Sequence, residues 1–190
     1  MGFSRSELES FRDAEVPDLL PEDLRLLLVG INPSLWTAAT GAPFAHPGNR
    51  FYPALHAAGI TSYRIDASAG YSDADLDELL GRGIGITNLS SRATVRADEL
   101  TRQELRDGAA RLDALVAERR PAVVAMLGVT AYRTAFGLPR ARTGLQEQRW
   151  RGVELWVAPN PSGLNAHATT ASLARDYRTI AERAGLDVAR

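Results

Sequence analysis

Four short apolar runs divide this chain: 25–31 (RLLLVGI), 83–88 (GIGITN), 122–128 (AVVAMLG) and 153–158 (VELWVA). Their apolar character is nearly continuous. Strands buried on both faces read this way, whereas half-exposed strands alternate. Helical patterns lie between them. Residues 49–58 carry Phe51, Leu55 and Ala58 at i, i+4 and i+7, and 73–80 form a short acidic helix. Residues 101–119 begin with Thr101-Arg-Gln-Glu104, which fits a capping box. They place Leu105, Leu112, Leu115 and Val116 on one side. Residues 129–136 and 170–184 complete the set. This alternation predicts an α/β protein: a single three-layer α/β/α domain over 1–190, with a short, mainly parallel central sheet of four to five strands. Residues 1–22 read as a short helix and a Pro-marked lead-in. A length of 190 residues, 45% of them hydrophobic, suits one core of this kind.

In a parallel sheet, ligands bind outside the carboxyl ends of the strands. The residues just after each run are therefore expected to share one crevice. They are Gly30-Ile-Asn-Pro33, Thr87-Asn88-Leu89, Gly128-Val-Thr130 and Pro159-Asn-Pro-Ser-Gly-Leu-Asn165. Two of the four contain Asn-Pro-Ser. The first opens an unusually long connection, GINPSLWTAATGAPFAHPGNRFY (30–52), and long loops in compact domains tend to be functional.

Several chemistries are excluded by composition. No cysteine is present, so there is no thiol nucleophile, disulfide or Cys-ligated metal. All 22 basic residues are arginine, so a lysine Schiff base and a Lys-bearing phosphate loop are impossible. The three histidines, His46, His56 and His167, have no metal-ligand spacing. No GxSxG elbow occurs. Gly81-Arg-Gly-Ile-Gly85 precedes the second run and reads as a turn. No acid lies between Asp23 and Asp66, so paired-carboxylate hydrolysis does not fit the long loop. No apolar run reaches the roughly 18 residues of a membrane span, and the opening MGFSRSELESFRDAEV is polar. A cytoplasmic, nucleoid-associated protein is the expectation. Net charge is −1, but 133–151 holds five arginines against Glu147, a local charge of +4 that predicts one basic face.

What remains is a crevice of amides, hydroxyls and glycine. Such a site holds a polar, uncharged ligand and aims one water. An asparagine fixes a water without being a strong base. That suits a reaction whose leaving group departs early and leaves a cation for water to trap, such as N-glycosidic cleavage.

The 30–52 stretch closely resembles the first motif of the mismatch-specific uracil/thymine DNA glycosylases, within the uracil-DNA glycosylase superfamily. NPSGLN (160–165) resembles their second motif, and GITNLSSRATVRADELTRQEL (85–105) resembles their middle region. The similarity runs from about Leu24 to Arg183. It implies a monofunctional glycosylase that flips uracil, best from G·U mispairs, out of double-stranded DNA and hydrolyses its glycosidic bond, initiating base excision repair. Asn32 resembles the asparagine that positions the attacking water, and Phe44 the aromatic that stacks on the flipped base. The backbone of Ile31 and Phe44 would meet the pyrimidine edge, with Thr37 and Asn88 nearby. Gly163-Leu164 resembles the wedge entering the duplex, with Asn160, Ser162, Asn165 and His167 beside it. Arg50 is expected to meet a phosphate or an acid, and His46 to structure its loop. No cofactor or metal is implied, the expected partner is duplex DNA carrying uracil or a mismatch, and a monomer is expected. Two departures stand out. Trp36 occupies a position where small residues are usual, and is expected at the pocket mouth. Ala166 stands where relatives can carry an arginine. A lesion-binding protein with little cleavage, a glycosylase preferring another damaged base, and a small-molecule nucleoside hydrolase stay open.

Overall fold

In the computed structural model, which describes residues 2–189, each apolar run becomes a strand. These are β1 (Leu26–Gly30), β2 (Ile84–Asn88), β3 (Val123–Leu127) and β5 (Glu154–Ala158), with a two-residue β4 (Gly144–Leu145) between the last two. The sheet order is β2-β1-β3-β5-β4. All pairings are parallel except that of β4, which lies antiparallel on the edge.

Seven helices cover the sheet: α1 (Arg5–Glu9), α2 (Leu35–Thr40), α3 (Phe51–Ala57), α4 (Asp73–Leu80), α5 (Arg102–Arg119), α6 (Val129–Phe136) and α7 (Thr170–Arg183). The layers follow from the two-residue period of strands. Leu26 and Leu28 of β1 point to one face and join Phe51, Leu55, Leu79, Leu173 and Tyr177 from α3, α4 and α7. Leu27 and Val29 point to the other and join Leu112, Val116 and Tyr132 from α5 and α6. Every residue of β1, β2 and β3 is buried, which is why their sequences lack alternation. Among the described residues, no helix is long and apolar enough to cross a membrane.

The capping box of α5 is present: Glu104 N donates to Thr101 Oγ1 (3.1 Å) and Thr101 N to Glu104 Oε2 (2.8 Å). The 30–52 connection, expected as one long loop, contains α2. Ser34 caps that helix by accepting from Thr37 N at 3.1 Å, and Gly41 ends it in a left-handed conformation. A hydrophobic periodicity over only six residues is too short to reveal such a helix.

The expected basic face is smaller than the sequence implies, because acids distant in sequence neutralise it. Arg151 pairs with Asp113, and Arg149 lies 3.7 Å from Glu154. Arg133 donates to the Ala141 carbonyl. Only Arg140 and Arg142 of the five stand exposed without a carboxylate partner among the described residues.

Candidate active site

The strand order places β1 between β2 and β3, so the chain leaves β1 and β3 in opposite directions along the sheet. Ligands of open α/β sheets bind at such a switch point. A cleft of about 680 Å³ opens there. Its wall includes residues at the carboxyl ends of four strands: Ile31 to Ser34, Asn88, Gly128 to Ala131, and Pro159 with Asn160. The expected shared crevice is therefore formed.

Asn32 sits half-buried in this wall. Its Nδ2 donates to Thr94 Oγ1 (2.7 Å), Pro33 O (2.9 Å) and Arg92 O (3.2 Å). Two of these partners are carbonyls, which only accept, so the amide cannot be turned over without losing them. Asn32 Oδ1 accepts no hydrogen bond from the described residues and is the end left for a ligand or a water.

Phe44 has a left-handed backbone, φ 57°. A bulky residue rarely adopts this, and the strain costs about 1–3 kcal/mol. The conformation swings the ring against Phe51, stacked at 4.1 Å with an interplanar angle of 25°, while the ring also lines the cleft. Gly30 makes room for it. A Cβ on Gly30 would stand 3.1 Å from Phe44 Cζ and collide with the Asn88 side chain, which lies beside Gly30 in the ladder.

Asn88 is 8% exposed, and its side-chain amide makes no hydrogen bond to the described residues. Its carbonyl is held by Arg111 Nη2 at 2.5 Å, and Arg111 is anchored on Asp18 at 3.0 Å. The residue lines the cleft, and its amide stays open there to solvent or a ligand. Ile31 O already accepts from Ser90 N at 2.9 Å. Ile31 therefore offers the cleft its N–H, and neither the N–H nor the carbonyl of Phe44 has a partner among the described residues. Thr37 is buried at the cleft wall, its hydroxyl 3.2 Å from Ser34 Oγ.

The second motif forms a loop at the cleft mouth. Leu164 at its tip is 88% exposed. Asn160 Oδ1 accepts from Ser162 N (3.0 Å), Asn165 Nδ2 donates to Asn160 O (2.9 Å), and His167 N donates to Asn165 Oδ1 (3.1 Å). Asn160, Ser162, Leu164, Asn165 and His167 all line the cleft. Gly163 does not; it packs behind, on Gly48.

Two expectations are corrected. Arg50 meets no acid among the described residues. Its guanidinium donates to Ser162 O (3.0 Å), Asn165 O (3.1 Å) and Gly163 O (3.4 Å), and its N–H to Pro161 O (3.0 Å). It is the clamp that holds the second motif to the first. Trp36 is not at the pocket mouth. Its indole donates to Ser68 O at 2.9 Å and its ring packs edge-on against Phe3 and His46. One helical step, about 100°, separates it from Thr37, so it faces away from the cleft. His46 does order its loop, accepting from Gly48 N at 3.0 Å.

Val95, Arg96, Asp98 and Thr143 also line the cleft and were missed by sequence reasoning. Arg96 and Asp98 pair with each other at 2.7 Å, both exposed at the rim. Among the described residues, no three His, Asp or Glu side chains cluster as metal ligands would.

Fold and cleft together define an α/β protein with an amide- and hydroxyl-lined cleft at the β1–β3 switch point. The chain belongs to the uracil DNA glycosylase superfamily, whose model matches residues 17–182. That membership makes it a hydrolase of N-glycosyl bonds that acts on DNA. A solution NMR structure of a provisionally assigned uracil DNA glycosylase from Methanosarcina acetivorans has the same fold. It is 19% identical, with a TM-score of 0.58 over 90% of this chain and 98% of that one.

Proposed function

We propose that this protein is a monofunctional uracil-DNA glycosylase that prefers G·U mispairs in duplex DNA, acting as a monomer. The observation that carries this reading is Asn32. Its amide nitrogen is tied on three sides and its oxygen is left free toward the cleft. Leu164 enters the base stack where uracil leaves and offsets part of the cost of extrusion. That cost is a few kcal/mol and smallest at a mispair, which favours G·U over A·U. The flipped uracil stacks on Phe44. The N–H groups of Ile31 and Phe44 and the Asn88 amide meet its polar edge.

The C1′–N1 bond then breaks, and its electron pair leaves with uracil. Asn32 Oδ1 holds a water by accepting one of its protons in a hydrogen bond. The water oxygen bonds to C1′, and the proton it releases passes through solvent to the uracil anion, leaving free uracil and an abasic site. The chain has no lysine to supply a Schiff base for strand cleavage. The test is single-turnover cleavage, with protein in excess, of duplexes carrying one G·U, A·U, G·T or G·C pair, and of single-stranded uracil DNA. Alkali reveals abasic sites. The reading expects most product from G·U and none from G·C. Retention of the G·U duplex with no product from any substrate would instead make this a lesion-binding protein.

A further inference from the structure

Asn32 has one side-chain partner, Thr94, sixty-two residues away. Thr94 is 1% exposed, so its hydroxyl has nowhere else to turn. That hydroxyl gives its only proton to Arg96 O at 2.7 Å. Its oxygen is thereby committed to accepting, and Asn32 Nδ2 is the donor it accepts from. A hydroxyl polarised in this way holds one end of the Asn32 amide and turns the other end, Oδ1, to the cleft.

The segment around Thr94 is itself tied on two sides. Thr94 N donates to Pro33 O at 3.2 Å, joining it to the first motif. On the other side runs the N-terminal lead-in. Ala93 N donates to Ala14 O (2.9 Å), Asp13 N to Ala93 O (3.0 Å) and Val16 N to Ser91 O (3.1 Å). Arg92, whose carbonyl also accepts from Asn32, bridges Asp13 at 2.6 Å and Glu104 at 2.8 Å. The lead-in thus pairs like a strand with the 91–93 segment that carries Arg92 and leads into Thr94.

We propose that Thr94 is the positioning residue for Asn32, fixing the direction of its oxygen, and that residues 13–16 brace Thr94 in place. The proposal rests on the glycosylase reading above. Thr94 does not reach the DNA. It acts through Asn32 and affects the chemical step, not duplex recognition.

Thr94→Val keeps the shape but neither accepts from Asn32 nor donates to Arg96. Thr94→Ser keeps both bonds. Single-turnover cleavage of a G·U duplex is measured at saturating protein, alongside the half-saturating protein concentration and the thermal midpoint. Thr94→Val is expected to slow the maximal rate about tenfold, the scale of one positioned hydrogen bond. Half-saturation should move less than about twofold, and Thr94→Ser should recover most of the rate. A Thr94→Val protein that cleaves at the wild-type rate overturns the proposal. So does a Thr94→Ser protein as slow as Thr94→Val, or a loss confined to half-saturation. Wild-type protein that cleaves G·U while Thr94→Val matches it sinks this inference alone; wild-type protein that leaves no abasic site sinks the glycosylase reading with it.

Discussion

In the proposed function Leu164 and Phe44 each offer an apolar surface to a base, one exposed and one half-buried. Leu164 is 88% exposed, a state that fits a side chain whose partner is outside the protein. Replacing it by Ala removes apolar area that would be buried in the duplex, worth about 1–2 kcal/mol at roughly 25 cal/mol per Å². Cleavage of a G·U duplex should fall roughly tenfold, while cleavage of single-stranded uracil, which needs no wedge, should stay the same. Equal losses on both would remove Leu164 from base extrusion. Phe44→Ala removes the ring stacked on Phe51 and leaves the left-handed backbone in place. Its cleavage loss is expected on duplex and single strand alike, because stacking follows flipping. At this scale the sequence was legible where a residue's role is local. Asn32, Phe44, Asn88 and Leu164 are named by motif and by place after a strand. Thr94 and the true role of Arg50 were not, because their hydrogen bonds join residues 62 and 112 or more apart in sequence.

Among elements, the join between the two motifs matters most. The loop over 159–168 carries little regular structure of its own. It is held by Arg50 on three carbonyls and by the close approach of Gly163 to Gly48. A Cβ at 163 would stand 2.5 Å from Gly48 O, a backbone atom that cannot swing aside. Gly163→Ala should therefore shift the loop while leaving the core intact. Duplex cleavage should fall severalfold with a thermal midpoint within a few degrees of wild type, the range of surface changes. Normal duplex cleavage by this variant would mean the loop tolerates displacement. The strands and longer helices were readable from their patterns to within a residue or two. α2 was not, since Ser34 capping and Gly41 termination signal a helix only once its six residues are known to be helical.

At the scale of the molecule, an ion pair ties the start of β5 to the last helix. Glu154 opens β5 and is 6% exposed. Arg183 of α7 donates to it twice, at 2.7 and 2.5 Å, and Trp156 Nε1 adds a third bond at 2.9 Å. These bonds, Arg183 first, hold its carboxyl down to about 2, against the desolvation that would raise it. The folded pKa lies below the unfolded value, so the stabilisation is complete above the ordinary Glu range and is lost as pH falls from about 4.5 toward 2. Its size is on the order of 2–3 kcal/mol. Glu154→Gln should lower the thermal midpoint at neutral pH by about 4–10 °C, and the gap to wild type should close as the pH approaches 2. A gap that stays constant down to that pH would show that the charge of Glu154 contributes nothing. The topology that makes the switch point was foreseen as a crevice, but the strand order β2-β1-β3-β5-β4 was not. Apolar runs fix which segments are strands, and nothing in them encodes neighbours.

The central claim is that an uncharged side chain, Asn32, aims the water that completes cleavage. The most direct measurement compares wild type with Asn32→Ala in single-turnover cleavage of a G·U duplex, with binding of that duplex measured in parallel. The account predicts a loss of about 2–4 kcal/mol in the barrier, the scale of one positioned polar group, with duplex binding retained. Cleavage by Asn32→Ala at the wild-type rate would contradict it.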